Sequence, residues 1–198
     1  MVVGITGGIG SGKSFVAESF LAYDNTVYYH ADIEAKKLMN DSDEIKEQVI
    51  LEFGAESYKN NQLNRPYISS LVFKDSVRLQ KLNAIVHPVV KKHFQKFIDN
   101  QNDEAIIVYE NAILFEINSD QFCDFVIAVT APLETRIQRV MLRDKISRDE
   151  VLERIKNQWS DTRKKLLCNY RIVNLNKNET LLKVQQIHNI LTKKQTLF

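Results

Sequence analysis

Near the start of the chain, Gly7-Gly8-Ile9-Gly10-Ser11-Gly12-Lys13-Ser14 matches the pattern GxxxxGK[ST]. That pattern describes a phosphate-binding loop, and the chemistry requires these residue types. Glycines let the backbone turn until successive N–H groups converge on anionic oxygens. The helix expected to follow supplies the positive end of its dipole. Lys13 has the reach to neutralise the outer phosphates of a nucleoside triphosphate, and Ser14 offers its hydroxyl to Mg²⁺. Phe15 stands where such loops commonly add a threonine, but Ser14 suffices for the metal. A lysine beside these glycines makes little sense without an anion.

A phosphate loop does not by itself select a reaction. Asp32 follows the apolar run Thr26–Tyr29, so it is expected at the carboxyl edge of a sheet, where ligands bind in open α/β folds. Two readings of it stand. It is a base that takes a hydroxyl proton or holds metal-bound water, or a helix N-terminal acid stabilised by the dipole. Arg136, Arg139 and Arg143 recur at i, i+3 and i+7, displaced from the apolar stripe of Leu133, Ile137, Val140 and Met141. Such a row suits a lid closing on phosphates; it also describes an ordinary solvated face. Glu110 either assists the metal through water or ends a strand. Asn176-Lys177-Asn178-Glu179 approaches the guanine-reading NKxD but reads better as a polar turn. Val108-Tyr109-Glu110-Asn111 offers one carboxylate where ATP-driven motors show an acidic pair. Small size and a helix-rich middle favour a kinase acting on a small molecule.

These side chains need a scaffold. Met1–Thr6, Thr26–Tyr29, Ala105–Tyr109, Phe125–Thr130 and Tyr170–Val173 read as five strands, mostly buried on both faces. Helices are expected from Lys13, from Ala31 through Met39, and after an Asp41/Glu44 capping pair ahead of Ile45, Val49 and Phe53. Others are expected at Pro66, from near Pro88 with Val90, Phe94 and Phe97 on one face, and at Pro132. Ser147 with Glu150 should open a helix with Val151, Ile155 and Trp159 inward, and a closing helix carries Leu181, Val184, Ile187 and Leu191. Alternating strands and helices predict an α/β domain with a mainly parallel sheet. The chain has 198 residues and a formal net charge of +2, which gives no bulk field for nucleic acid or an anionic membrane. No apolar run has the length of a membrane span, and the start does not read as a signal peptide. Cys123 and Cys168 stand alone, as buried neutral thiols of a reducing cytosol would.

The ordered set of motifs resembles the dephospho-CoA kinases. It comprises GITGGIGSGKS at 4–14, ADIEAK at 31–36, LNR at 63–65, His87-Pro88, ILFE at 113–116, MLRD at 141–144, and the helix leading to Arg154-Ile-Lys-Asn-Gln158. The resemblance implies a P-loop kinase fold: a five-stranded parallel sheet flanked by helices, ordered 2-3-1-4-5. Its nucleotide-binding core would span 1–35 and 103–198, with a lid at about 136–158. A helical CoA-binding insertion would occupy 36–102. It implies ATP-dependent phosphorylation of the 3′-hydroxyl of dephospho-CoA, with Mg²⁺ accompanying ATP. Catalysis would then fall to Asp32, Lys13 and Arg139. ATP would be held by Gly8, Ile9, Gly10, Ser11, Gly12, Lys13, Ser14 and Phe15 with Arg143 and Asn174, and the acceptor by Asp32, Lys36, Arg65, His87 and Glu116. His87 has a second reading, capping or packing ahead of Pro88. The expected state is a cytoplasmic monomer or weak oligomer with no nucleic-acid or membrane partner. Alternatives are a kinase for another small acceptor, such as a nucleoside or nucleotide, and a non-catalytic ATP-binding regulatory protein. The chain departs from the family pattern at His30, where Asp is usual, at Lys36 for Arg, and at Ala112 for Pro.

Overall fold

The computed structural model describes residues 1–72 and 75–195. The chain runs from β1 (Val2–Thr6) through a loop into α1 (Lys13–Ser19) and β2 (Thr26–His30). It then enters a helical segment: α2 (Ala31–Asp41), α3 (Asp43–Phe53), a hairpin of β3 (Tyr58–Lys59) and β4 (Gln62–Leu63), α4 (Arg65–Val72) and α5 (Ser76–Asp99). It returns through β5 (Ile106–Glu110), β6 (Phe125–Thr130), α6 (Leu133–Asp144), α7 (Arg148–Lys156), α8 (Asp161–Leu167), β7 (Tyr170–Val173) and α9 (Lys177–Gln195). Two compact units result, Met1–His30 with Gln101–Phe198, and Ala31–Asn100. The helical unit therefore takes in α2 whole, beginning at Ala31 rather than 36.

In the first unit the strands pair in the order β2-β5-β1-β6-β7, every pairing parallel. All five residues of β1 are buried, with Ile5 opposite both Glu110 and Ile127. The uninterrupted apolar runs follow from this, because helices cover a parallel sheet on both faces. Val3, Ile5, Val108, Ile127 and Ile172 pack with Val16 of α1, with Phe20 just after it, and with Val184, Ile187 and Leu191 of α9. The neighbours of β1 lie on opposite sides in chain order, so the loop after it emerges at a topological switch point. Among the described residues, no helix is long and apolar enough to cross a membrane.

The helical unit has its own core of Ile45, Val49, Phe53, Ile68, Leu82, Val86 and Val90. Two expectations are corrected, and one element is new. The helix expected from Pro88 starts twelve residues earlier, at Ser76, with Asp75 capping the N–H groups of Val77 and Arg78. Pro88 removes one helical hydrogen bond, but burial of Leu82, Val86, Val90 and Phe94 at intervals of four carries the helix through it. The cap of α3 is Ser42, whose side chain accepts from Ile45 N–H, whereas Asp41 ends α2. The hairpin was not anticipated. Its turn residues Asn60 and Asn61 both have positive φ, 49° and 62°, as a type I′ turn requires.

In the first unit, Trp159 lies beyond the end of α7 and is only half-buried, so it is not an inward residue of that helix. On α9, Leu181 is 38% exposed and Thr180 faces the interior instead. Cys123 and Cys168 are both free and half-buried rather than buried.

Candidate active site

At the end of β1 the chain must leave the sheet and start α1 within six residues, Gly7 to Gly12. Gly12 has φ +87°, and a Cβ on it would lie 1.9 Å from Asn174 Nδ2. Gly8 is needed for another reason, since a Cβ there would lie 2.0 Å from the Arg136 guanidinium. The first-turn N–H groups of α1 have no acceptor within the helix, and no side chain caps them. With the helix dipole they favour an anion.

A cavity of about 300 Å³ opens there, lined by Gly10, Gly12, Lys13, Ser14, Arg139, Val140 and Arg143. The structure thus brings together the loop, its lysine and two arginines of α6. Arg139 donates one NH2 hydrogen to the Asn174 carbonyl at 3.0 Å, and its buried NH1 has no partner among the described residues. Arg143 is exposed and held bidentately by Asp144 at 2.7 and 3.1 Å. That hydrogen-bonded contact raises the pKa of the guanidinium and holds the Asp144 carboxyl below its ordinary range; Arg154 also donates to Asp144, at 2.7 Å.

The remaining loop residues are held from below and from the side. Asn174 donates from Nδ2 to the Ser11 carbonyl at 3.0 Å and accepts from Thr180 Oγ1 at 3.1 Å. Its amide is therefore engaged under the loop. Ile9 has both backbone groups engaged, its N–H by Gln158 Oε1 at 2.8 Å and its carbonyl by Arg136 Nε at 2.9 Å. Phe15 is half-buried and packs against the core of the first unit.

Ser14 Oγ donates to Glu110 Oε1 at 2.9 Å. Glu110 is 3% exposed and also accepts from Tyr28 Oη, with His30 Nε2 at 3.7 Å from its second oxygen. His30 Nδ1 is buried without a partner among the described residues. A hydroxyl and a carboxylate side by side at the loop are hard oxygen donors, the kind Mg²⁺ takes alongside nucleotide phosphates and water. The residues present therefore fit that metal.

Glu116 lies in the same unit, partly buried beside the fully buried Lys164. Its Oε1 accepts Trp159 N–H at 2.8 Å and pairs with Lys164 Nζ at 2.8 Å, while Oε2 is buried without a partner among the described residues. The other expected residues belong to the helical unit. Asp32, second residue of α2, and Lys36, one turn on, share an exposed face. Arg65 opens α4 and is exposed. His87 lies inside α5, where burial and then the charge of Lys91 lower its pKa, so it is neutral near pH 7.

The sequence reading missed Tyr28, Lys164, Asp161 and the structural use of Arg136. Gln158 ends the Arg154–Gln158 motif, which carries no stated role for it.

A family model described as dephospho-CoA kinase matches residues 1–180. The chain is 38% identical over 161 residues to a dephospho-CoA kinase of Salinibacter ruber, covering 80% of each chain. A crystal structure of TT1252 from Thermus thermophilus superposes with TM-score 0.82 at 30% identity, covering 98% of this chain and 97% of that one. Dephospho-CoA kinase from Campylobacter jejuni, at 21% identity and TM-score 0.69 over 98% of each chain, shares the fold, that of the P-loop kinases. Loop, sheet order, arginine helix and near full-length sequence match agree, and the chain belongs to the dephospho-CoA kinase family.

Proposed function

We propose that the protein transfers the γ-phosphoryl group of ATP to the 3′-hydroxyl of dephospho-CoA, with Mg²⁺ as the accompanying ion. The observation that carries this is the cavity in which Lys13, Ser14, Arg139 and Arg143 converge at the N-terminus of α1. Lys13 and the first-turn N–H groups bind the β- and γ-phosphates. Ser14, with Glu110 behind it, would hold Mg²⁺, which supplies charge neutralisation between those phosphates when bound. Arg139, fixed at one end by the Asn174 carbonyl, presents its other nitrogen to the oxygens of the transferred group. Arg143 and Arg154, both anchored on Asp144, add positive charge on the lid side.

Asp32 is the proposed base. Support comes from an exposed carboxylate in the first turn of α2, two residues beyond the carboxyl end of β2. It orients the attacking hydroxyl and takes its proton as the new P–O bond forms and the bond from the γ-phosphorus to the bridging oxygen breaks, releasing ADP. Lys36, Arg65, His87 and Glu116 are proposed on the acceptor side, with neutral His87 as a hydrogen-bonding partner. Positioning and electrostatics then supply most of the acceleration. Two unpaired cysteines support a reducing, cytoplasmic setting. The test is ADP release with dephospho-CoA against a panel of nucleosides and nucleotides, with the product position read by NMR. Turnover with a nucleotide and none with dephospho-CoA would refute the acceptor assignment.

A further inference from the structure

Ile9 sits at the tip of the phosphate loop, and three kinds of contact hold it. Its side chain packs against Ile137, Val140 and Val151. Its N–H donates to Gln158 Oε1 at 2.8 Å, and its carbonyl accepts from Arg136 Nε at 2.9 Å. Arg136 is 6% exposed and is itself fixed by Asp161 Oδ2 at 2.8 Å. Gln158 and Asp161 bracket the short connection between α7 and α8, on a segment far from the loop in sequence.

We propose that Gln158 and Asp161 are positioning residues of the phosphate loop. Together with Arg136 they fix the peptide groups on both sides of Ile9 before nucleotide arrives. This rests on the reading that the loop binds ATP. The physical reason lies in the glycines, which give this segment more backbone freedom than any other residue type would. An unclamped loop spends part of its time in shapes whose N–H groups do not converge, and the apparent affinity falls by that fraction. A carboxamide suits the task, because it accepts the Ile9 N–H without adding negative charge beside a phosphate site. Asp161 acts at one remove, by neutralising and orienting Arg136, whose guanidinium crosses Gly8 too closely for a side chain there.

The test uses Gln158→Met, which keeps length and removes the acceptor. ATP Kd and the KM for ATP should rise about five- to tenfold, with kcat and the KM for dephospho-CoA little changed. A purely structural role would lower the melting temperature and leave ATP Kd where it was. An ATP Kd within about twofold of the parent, or a loss confined to kcat, overturns the proposal. If Gln158→Met does not fold, Asp161→Asn takes its place, with a rise in ATP Kd expected and an unchanged Kd overturning the proposal. Hydrogen exchange of the parent protein gives a readout independent of activity. The Ile9 amide should be protected without nucleotide, and exchange at the rate of an open peptide would overturn the clamp. Should the parent protein bind no ATP while Ile9 is protected, the nucleotide reading fails and the clamp stands.

Discussion

Lys164 is a lysine with no exposed surface, and its removal gives a magnitude that can be worked out. Its ammonium donates to the Ala112 carbonyl and pairs with Glu116 at 2.8 Å. Lys164→Met keeps the aliphatic stem and deletes the charge. Glu116 would then retain one donor, Trp159 N–H, for a carboxylate whose second oxygen already lacks one. Breaking a buried pair by removing one partner costs about 3–5 kcal/mol. The Glu116 side chain is 13% exposed, so some water reaches it and the lower end applies. At roughly 2–4 °C per kcal/mol for a chain of this length, the melting temperature should fall by about 6–12 °C. Thermal melts followed by far-UV circular dichroism and by the single tryptophan, Trp159, read this directly. Adding Glu116→Gln should recover part of the loss, because a neutral amide tolerates the site better than an orphaned carboxylate. A single variant within about 1 kcal/mol of the parent would refute the claim that this pair is a buried, mutually dependent unit.

Asp32→Asn should lower kcat about 10²- to 10⁴-fold with ATP Kd unchanged, and parent-like turnover across pH would remove Asp32 as the base. Gly12→Ala should raise ATP Kd at least about tenfold, because the αL position costs roughly 1–2 kcal/mol before any clash with Asn174; isothermal titration against the parent checks it. The Tyr58 hydroxyl, which donates to the Met39 carbonyl at 2.7 Å, is pushed up to about 12 by burial, from an ordinary value of 10.0. The folded chain thus keeps a proton that the unfolded chain loses, so stability is full below pH 10 and declines as pH rises from there toward 12. Melts of the parent and of Tyr58→Phe between about pH 9 and 11 should show the extra alkaline loss only in the parent.

The sheet was legible because a parallel sheet buries both faces. The three central strands β1, β5 and β6 are then short apolar runs ended by a polar residue, while the edge strands β2 and β7 are only partly buried; all five expected runs became strands. The failures are local and physical. Pro88 has two valid meanings, helix start and helix interruption, and only the spacing of Leu82 and Val86 upstream decides between them. The hairpin was signalled by Asn60-Asn61, but its strands are two residues long and carry no alternation. Of the cavity at the start of α1, Gly10, Gly12, Lys13, Ser14, Arg139 and Arg143 were legible as neighbours, since a phosphate-loop pattern fixes residue type at set spacing. The supports were not. Asn174 reaches Ser11 across 163 positions and Gln158 reaches Ile9 across 149, and neither pairing has a local signature.

The arginine stripe shows how a correct periodicity conceals division of labour. Arg136, Arg139 and Arg143 do share one face, but a helix advances about 1.5 Å per residue, so the three stand at different depths along α6. Arg136 is buried, Arg139 half-buried and Arg143 exposed. Their partners change in step. Arg136 meets the loop carbonyl of Ile9 and Asp161, Arg139 divides between the Asn174 carbonyl and a nitrogen with no partner among the described residues, and Arg143 meets its neighbour Asp144. A guanidinium that already has carbonyl and carboxylate on its nitrogens has little left to offer a phosphate. The capacity to answer charge on a ligand therefore differs along the helix: Arg136 builds the loop, Arg139 lines the cavity with a nitrogen unpartnered among the described residues, and Arg143 lines it with two of its nitrogens on Asp144. Replacing the first should damage the shape of the site, and replacing either of the others its charge.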